Sequence, residues 1–149
     1  MIDLPRKIPT RDGEVVIATK RDVGRYDNFK FAPARRAGNV LYISGVIAGP
    51  EKAEGRDVDA FKAQLRRAFE ALRETLAASG ASFAHVAMIN SFHVWDGPNF
   101  EGDASAQLSA FIAVKDEFMP PPHAAWTAIG TTGLAIPTGV VEIQMIAHL

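Results

Sequence analysis

One segment limits the fold more than any other. From Asp57 to Gly80 the apolar residues Phe61, Leu65, Ala68, Phe69, Leu72 and Leu76 recur at three- and four-residue steps. Lys62, Arg66, Arg67, Glu70, Arg73 and Glu74 fall between them. That spacing predicts an amphipathic helix with one apolar stripe and one wet face. Asp57 or Asp59 can cap its start, and Gly80 after Ser79 stops it. A helix of this kind draws most of its stability from packing, so the rest of the chain must supply an apolar platform.

The closing segment is the clearest candidate for that platform. Val141, Ile143, Met145, Ala147 and Leu149 alternate with Val140, Glu142, Gln144, Ile146 and His148. The pattern predicts a strand with one wholly apolar face under the helix and one mixed face. Further strand signals run over Glu14 to Ala18, Phe31 to Ala37, Val40 to Ile47, Phe83 to Trp95 and Ala124 to Leu134. Gly38-Asn39 reads as a hairpin turn between two of them. A second helix fits Ala104 to Phe118 and ends before Pro120-Pro121-Pro122. Residues 1–23 read as an N-terminal arm and first strand, and residues 24–149 as the body of a single domain. The order predicts an α+β two-layer domain, a mixed sheet with both helices on one face. The mixed face of the last strand is too apolar to be simply wet and too polar for a core. Burial against other subunits accounts for that mixture.

With 48% hydrophobic and 22% charged residues, the chain has enough apolar surface to fold on its own. A net charge of -1 gives no global field for nucleic acid, and no basic stripe with interleaved aromatics is present. The absence of cysteine removes disulfides, thiolate catalysis and Cys-based zinc sites. His85, His93, His123 and His148 have no metal-ligand spacing, so no metal is expected. Neither GxGxxG, GxxxxGK[ST] nor GxSxG occurs, and no cofactor is expected. The N-terminus shows no apolar signal run, and Val40 to Ala48 is far too short to span a bilayer. The expected setting is the cytoplasm, with no membrane partner.

Three features carry candidate chemistry. Glu142 is a carboxylate in the middle of an otherwise apolar closing strand, where an unpaired charge is costly. It serves either a salt bridge across an interface or the positioning of water and polar substrate in a cleft. His123 lies between a proline stop and a strand, where side chains often face a cleft. Arg35 and Arg36 precede the hairpin turn and either hold an anion or form a solvated hairpin end. Arg66 and Arg67 read as a solvated helix face with partners such as Glu70.

Several segments together are similar to one family. Phe31, followed by Gly38-Asn39-Val40-Leu41-Tyr42-Ile43-Ser44-Gly45, resembles the "GN-x-(L/I)-(Y/F)-x-SG" hairpin of the Rid (YjgF-like) proteins, also labelled endoribonuclease L-PSP. Leu76 to Ser82 resembles their "L-x-x-AGAS" segment, and Val86 to Asp96 their next strand. Ala125 to Gly130 and Val141 to Ala147 resemble the closing strands "PAR-x-x-(V/I)" and "VEIE-x-IA". The resemblance implies a chorismate-mutase-like fold and a homotrimer whose sheets line an inner barrel, with small-molecule clefts between subunits. It also implies hydrolysis of reactive imines and enamines, releasing ammonia and a 2-keto acid.

Ser44 and Glu142 match the family pattern. The arginine that clamps the substrate carboxylate in these deaminases aligns with Trp126, the cleft tyrosine with Phe31, the glutamine after SG with Val46, and a cysteine with Ala128. The expectation is therefore a divergent member without that arginine and with a more apolar cleft. Glu142 and His123 would be its catalytic residues, and Phe31, Ser44, Trp126, Thr127 and Arg35 its substrate contacts. A deaminase acting on an imine, enamine or amide and a non-catalytic small-molecule binder both stay open. Endoribonuclease or translation-inhibitor activity stands third, with nucleic acid the least supported partner.

Overall fold

The computed structural model describes all 149 residues. Seven strands form one sheet: β1 (Arg6–Pro9), β2 (Gly13–Ile17), β3 (Ala34–Ala37), β4 (Val40–Ala48), β5 (Val86–His93), β6 (Ala125–Gly130) and β7 (Val141–His148). Their order across the sheet is β1-β2-β3-β4-β7-β5-β6. Every neighbouring pair is antiparallel except β5 and β6, so the sheet is mixed as expected. The helices are α1 (Lys20–Asp27), α2 (Val58–Ala78) and α3 (Ala104–Phe118).

The long helix is α2. Asp57 caps it by accepting from the Ala60 amide at 2.8 Å, and Phe61, Leu65, Ala68, Phe69, Leu72 and Leu76 are all buried. They pack on Leu41, Ile43, Val46 and Ala48 of β4 and on Val141, Ile143, Met145 and Ala147 of β7. Phe69 bridges to α3 through Phe111 and Phe118, with ring centroids 6.1 and 5.2 Å away. Thus α2 and α3 share one sheet face.

Several details differ from the sequence reading. Arg66 makes a bidentate pair with Glu117 of α3, at 2.8 Å for each bond, and Arg67 binds Glu54 and the Gly49 carbonyl. Both are tertiary ties, while Glu70 pairs with Arg73. The N-terminal arm is not free: β1 pairs along β2 and forms the sheet edge. The segment from Phe31 reaches strand geometry only at Ala34, because Pro33 removes a ladder donor. Gly38 takes φ +57° at the first central position of the β3–β4 turn, a conformation costly for other residues.

Helix α1 was not expected. It lies on the opposite sheet face from α2 and α3. Arg6 is the register partner of Ile17, so the two share a face. Arg6 reaches Asp27 at 3.3 Å and stacks on the Tyr26 ring at 5.5 Å, which brings α1 over them. Ile17 is fully buried yet stands outside the core cluster beneath α2 and α3.

Candidate active site

Alternation along the strands decides which residues share the α1 face. On β7 it holds Glu142, Gln144, Ile146 and His148; their register partners Ile47, Asn90, Phe92 and Tyr42 project the same way. Between Ile43 and Val46 the β4–β7 register slips, and Ser44-Gly45 form a bulge. Bulges re-aim side chains, and this one does so twice. Ser44 turns its hydroxyl to donate to the Ala32 carbonyl at 2.7 Å, and its amide donates to Pro33 at 2.9 Å. Gly45 leaves an open surface on which the Glu142 side chain rests; a Cβ there would collide with the carboxylate.

The result is an open cleft of about 400 Å³ lined by Gly45, Phe92, Glu142, Gln144 and the loop residues Thr131 and Leu134. Glu142 takes no hydrogen bond or ion pair from its own chain. Gln144 accepts from Asn90 at 3.2 Å across the strands. Arg25 of α1 is the cation whose field Glu142 joins. Desolvation holds its guanidinium below the usual arginine range, as does the nearby Arg21, while Asp22 and Glu142 act the other way.

The other expected site residues fall in different places. Trp126 pairs in register with the buried Ile89, so its ring points to the helical face. It stacks on Phe111 at 5.3 Å, and its indole N–H donates to the Ser91 hydroxyl at 2.8 Å. Trp126 is therefore a core residue, not a cleft contact. The β6 residue with the cleft parity beside it is Thr127, which is exposed. His123 stands six residues before Ile129, the β6 residue level with Phe92 and Glu142, which separates it from Glu142 by roughly 20 Å along the strand. Within one chain the two candidate catalytic groups do not meet. Arg35 shares the cleft face but donates to Asp12 at 2.8 Å, and that bond holds the Asp12 carboxyl below its usual range. Arg36 pairs with Glu14, so neither arginine is a free anion site. Phe31 is 39% exposed and is not among the residues that line the cleft; its amide donates to the Arg25 carbonyl at 3.4 Å.

One buried polar cluster escaped the sequence reading. His93 is fully buried; its Nε2 meets Ser91 Oγ at 2.7 Å and its Nδ1 meets Gln107 Oε1 at 2.9 Å. The ring stacks on Trp95 with centroids 4.2 Å apart. Burial lowers its pKa, with the Gln107 hydrogen bond opposing. The alternation of Ser91 and His93 with the buried Ile89 was the available signal.

The fold and the bulge-and-carboxylate cleft define a small α+β protein with an open cleft on one exposed sheet face. Residues 27–149 match the Endoribonuclease L-PSP family. The chain is 35% identical over 126 residues to the RutC family protein YjgH of Escherichia coli, covering 83% of this chain and 86% of that protein. The chain belongs to this Rid (YjgF) family. A solved structure of YjgH superposes with a TM-score of 0.65 at 32% identity, over 83% of this chain and 87% of the other. RidA from an Antarctic Psychrobacter species gives a TM-score of 0.65 at 27% identity, over 80% and 89%. A Thermotoga maritima protein shares the fold alone, with a TM-score of 0.69 at 19% identity over 95% and 98%. No helix is long and apolar enough to cross a membrane.

Proposed function

We propose that the protein hydrolyses a small reactive imine, enamine or amide in the Glu142 cleft, which is completed where copies of the chain meet as a homotrimer. The observation that carries this is the Glu142 carboxylate, laid on Gly45 in an open cleft without a donor from its own chain. A carboxylate placed so is able to take a proton from water. In the imine case the water oxygen forms a bond to the C=N carbon while Glu142 accepts the water proton and the nitrogen takes up another. Glu142 then returns its proton to the nitrogen, the C–N bond breaks as the hydroxyl proton is lost to solvent, replacing the one the nitrogen took up from solvent, and ammonia and a carbonyl compound leave. Phe92 and Leu134 give the cleft its apolar wall, while Phe31 and Thr127 contact substrate at the junction of two copies.

The test is ammonia and keto-acid release from 2-aminoacrylate generated in situ. Glu142→Gln is expected to lower the rate by about 10²-fold or more, the usual scale for a lost general base. An unchanged rate removes Glu142 from the chemistry. A second reading, a non-catalytic small-molecule binder, is favoured by the distance between His123 and Glu142, which leaves the carboxylate without a second acid or base in its own chain. It stands if the natural protein releases no ammonia yet binds 2-keto acids.

A further inference from the structure

Two places beyond Glu142 on the same strand face stands Gln144, exposed and part of the same cleft wall. An amide side chain offers an acceptor oxygen and two N–H donors, so its use depends on which end is already taken. On the β5 side its register partner is Asn90, whose Nδ2 donates to Gln144 Oε1 at 3.2 Å. On the β4 side the register passes from Ile43 opposite Met145 to Val46 opposite Ile143, so the bulge leaves Gln144 unpaired. The bulge residues offer it nothing: the Ser44 hydroxyl is turned to the Ala32 carbonyl, and Gly45 has no side chain. The oxygen of Gln144 is thus held, while its NH2 has no partner in the chain.

Glu142 is the complement, a group that only accepts and that takes no hydrogen bond from its own chain. Two residues on one face of a strand lie about 7 Å apart, so a donor and an acceptor border one small gap. A ligand group that accepts at one end and donates at the other spans it with a hydrogen bond of about 2.9 Å on each side. A primary amide or a ureido group does this. A ketone lacks the donor, and a carboxylate lacks it and also meets Glu142 as a like charge. Phe92 and Leu134 supply an apolar wall for the remainder of the ligand.

We propose that Gln144, held by Asn90, is a specificity-determining residue, and that the cleft takes a neutral primary amide or ureido group. Its carbonyl oxygen accepts from Gln144 Nε2, and its N–H donates to Glu142. One oxygen of Glu142 receives that N–H while the other stays available to water. The proposal rests on the Glu142 cleft being the reaction site and narrows its substrate class. The competing role is a cross-strand staple, in which the Asn90–Gln144 pair only fastens β5 to β7.

Benzamide, acetophenone and benzoate share one shape and differ at one group, so they read the donor and the charge separately. By calorimetry or ligand-detected NMR, the natural protein is expected to bind benzamide roughly tenfold or more above either of the others. Gln144→Glu replaces the donor with a second acceptor. It should lose benzamide by a similar factor and gain benzamidine, whose amidinium only donates. Asn90→Ala frees the Gln144 amide to turn and should lose part of the preference with Gln144 itself intact. Equal affinity for the three probes in the natural protein, or no binding of benzamide, overturns the proposal without reference to any variant. So does a Gln144→Glu or Asn90→Ala protein that keeps the natural preference, which leaves the pair a staple. If the preference holds while Glu142→Gln leaves ammonia release unchanged, amide recognition stands and the hydrolase reading falls. Glu142-dependent ammonia release beside equal binding of the probes does the reverse.

Discussion

Gly45 and Glu142 occupy one small volume, and that makes Gly45→Ala an informative substitution. The added Cβ meets the carboxylate and its methylene, which belong to a flexible side chain, not to backbone. The side chain can swing away, so stability should change by less than about 1 kcal/mol. Ammonia release, measured beside a urea melt, should nevertheless fall at least tenfold, since a base displaced by an ångström loses its alignment. A variant with full activity would show that Glu142 works from another rotamer. His93 makes a second residue-scale prediction. Its folded pKa is lowered, chiefly by desolvation, so the unfolded chain binds more protons below the ordinary histidine value of about 6.5. Stability is complete above that value and declines as the pH drops through it toward the folded pKa. The urea midpoint of the natural protein should therefore fall between pH 7.5 and 5.5 by more than that of His93→Asn. Parallel curves for the two would assign the pH response to other groups. Glu142 was legible in the sequence because a lone charge interrupts an alternating strand. Trp126 was misplaced because a one-residue difference in strand parity sends a side chain to the other face, and its N–H had a buried hydroxyl to meet there.

At the scale of elements, α2 and α1 are both capped by a side chain but differ in what supports them. Helix α2 was readable because its apolar stripe repeats over 21 residues and buries eight side chains. Helix α1 offers Val23 and Tyr26 as its only large apolar residues, so no periodic stripe announces it. Its one sequence signal is the pair Thr19 and Asp22 at capping-box spacing. The consequence is a difference in cooperativity. Removing the α2 cap with Asp57→Ala costs about 1 kcal/mol against the whole core and should lower the melting temperature by about 2–4 °C. Thr19→Ala removes a cap of similar worth from a helix held mainly by Arg6 contacts and one capping box. Its expected effect is local: amide exchange over residues 22–27 rises about fivefold while the melting temperature stays within a degree. A large drop in melting temperature would mean that α1 is part of the global folding unit.

Over the whole molecule, the two sheet faces are unequal. One is sealed by α2 and α3; the other is covered by α1 at one end and otherwise shows Tyr42 at 49% and Ile129 at 47% exposure, with Phe92, Ile146 and Ile47 half-buried. The mixed pattern of the last strand made this inequality legible from sequence, but a pattern cannot say what covers the second face. Large apolar side chains gathered on one exposed face mark an interaction surface, and the identical chain is the partner that is always present. A heterologous contact that closes into a ring buries this face in every copy, which is the arrangement the proposed trimer requires. The sheet-face residue Ile146 sits beside Tyr42 in register, away from Gly45 and Glu142, so it tests assembly without touching the carboxylate. Light scattering after gel filtration should give three chain masses for the natural protein and one, near 16.1 kDa, for Ile146→Lys. The variant should keep its helical circular dichroism, because α2 and α3 pack on the other face. If the natural chain runs as a monomer at micromolar concentration, the cleft belongs to one protomer alone, and Phe31 and Thr127 lose their role at a junction of copies.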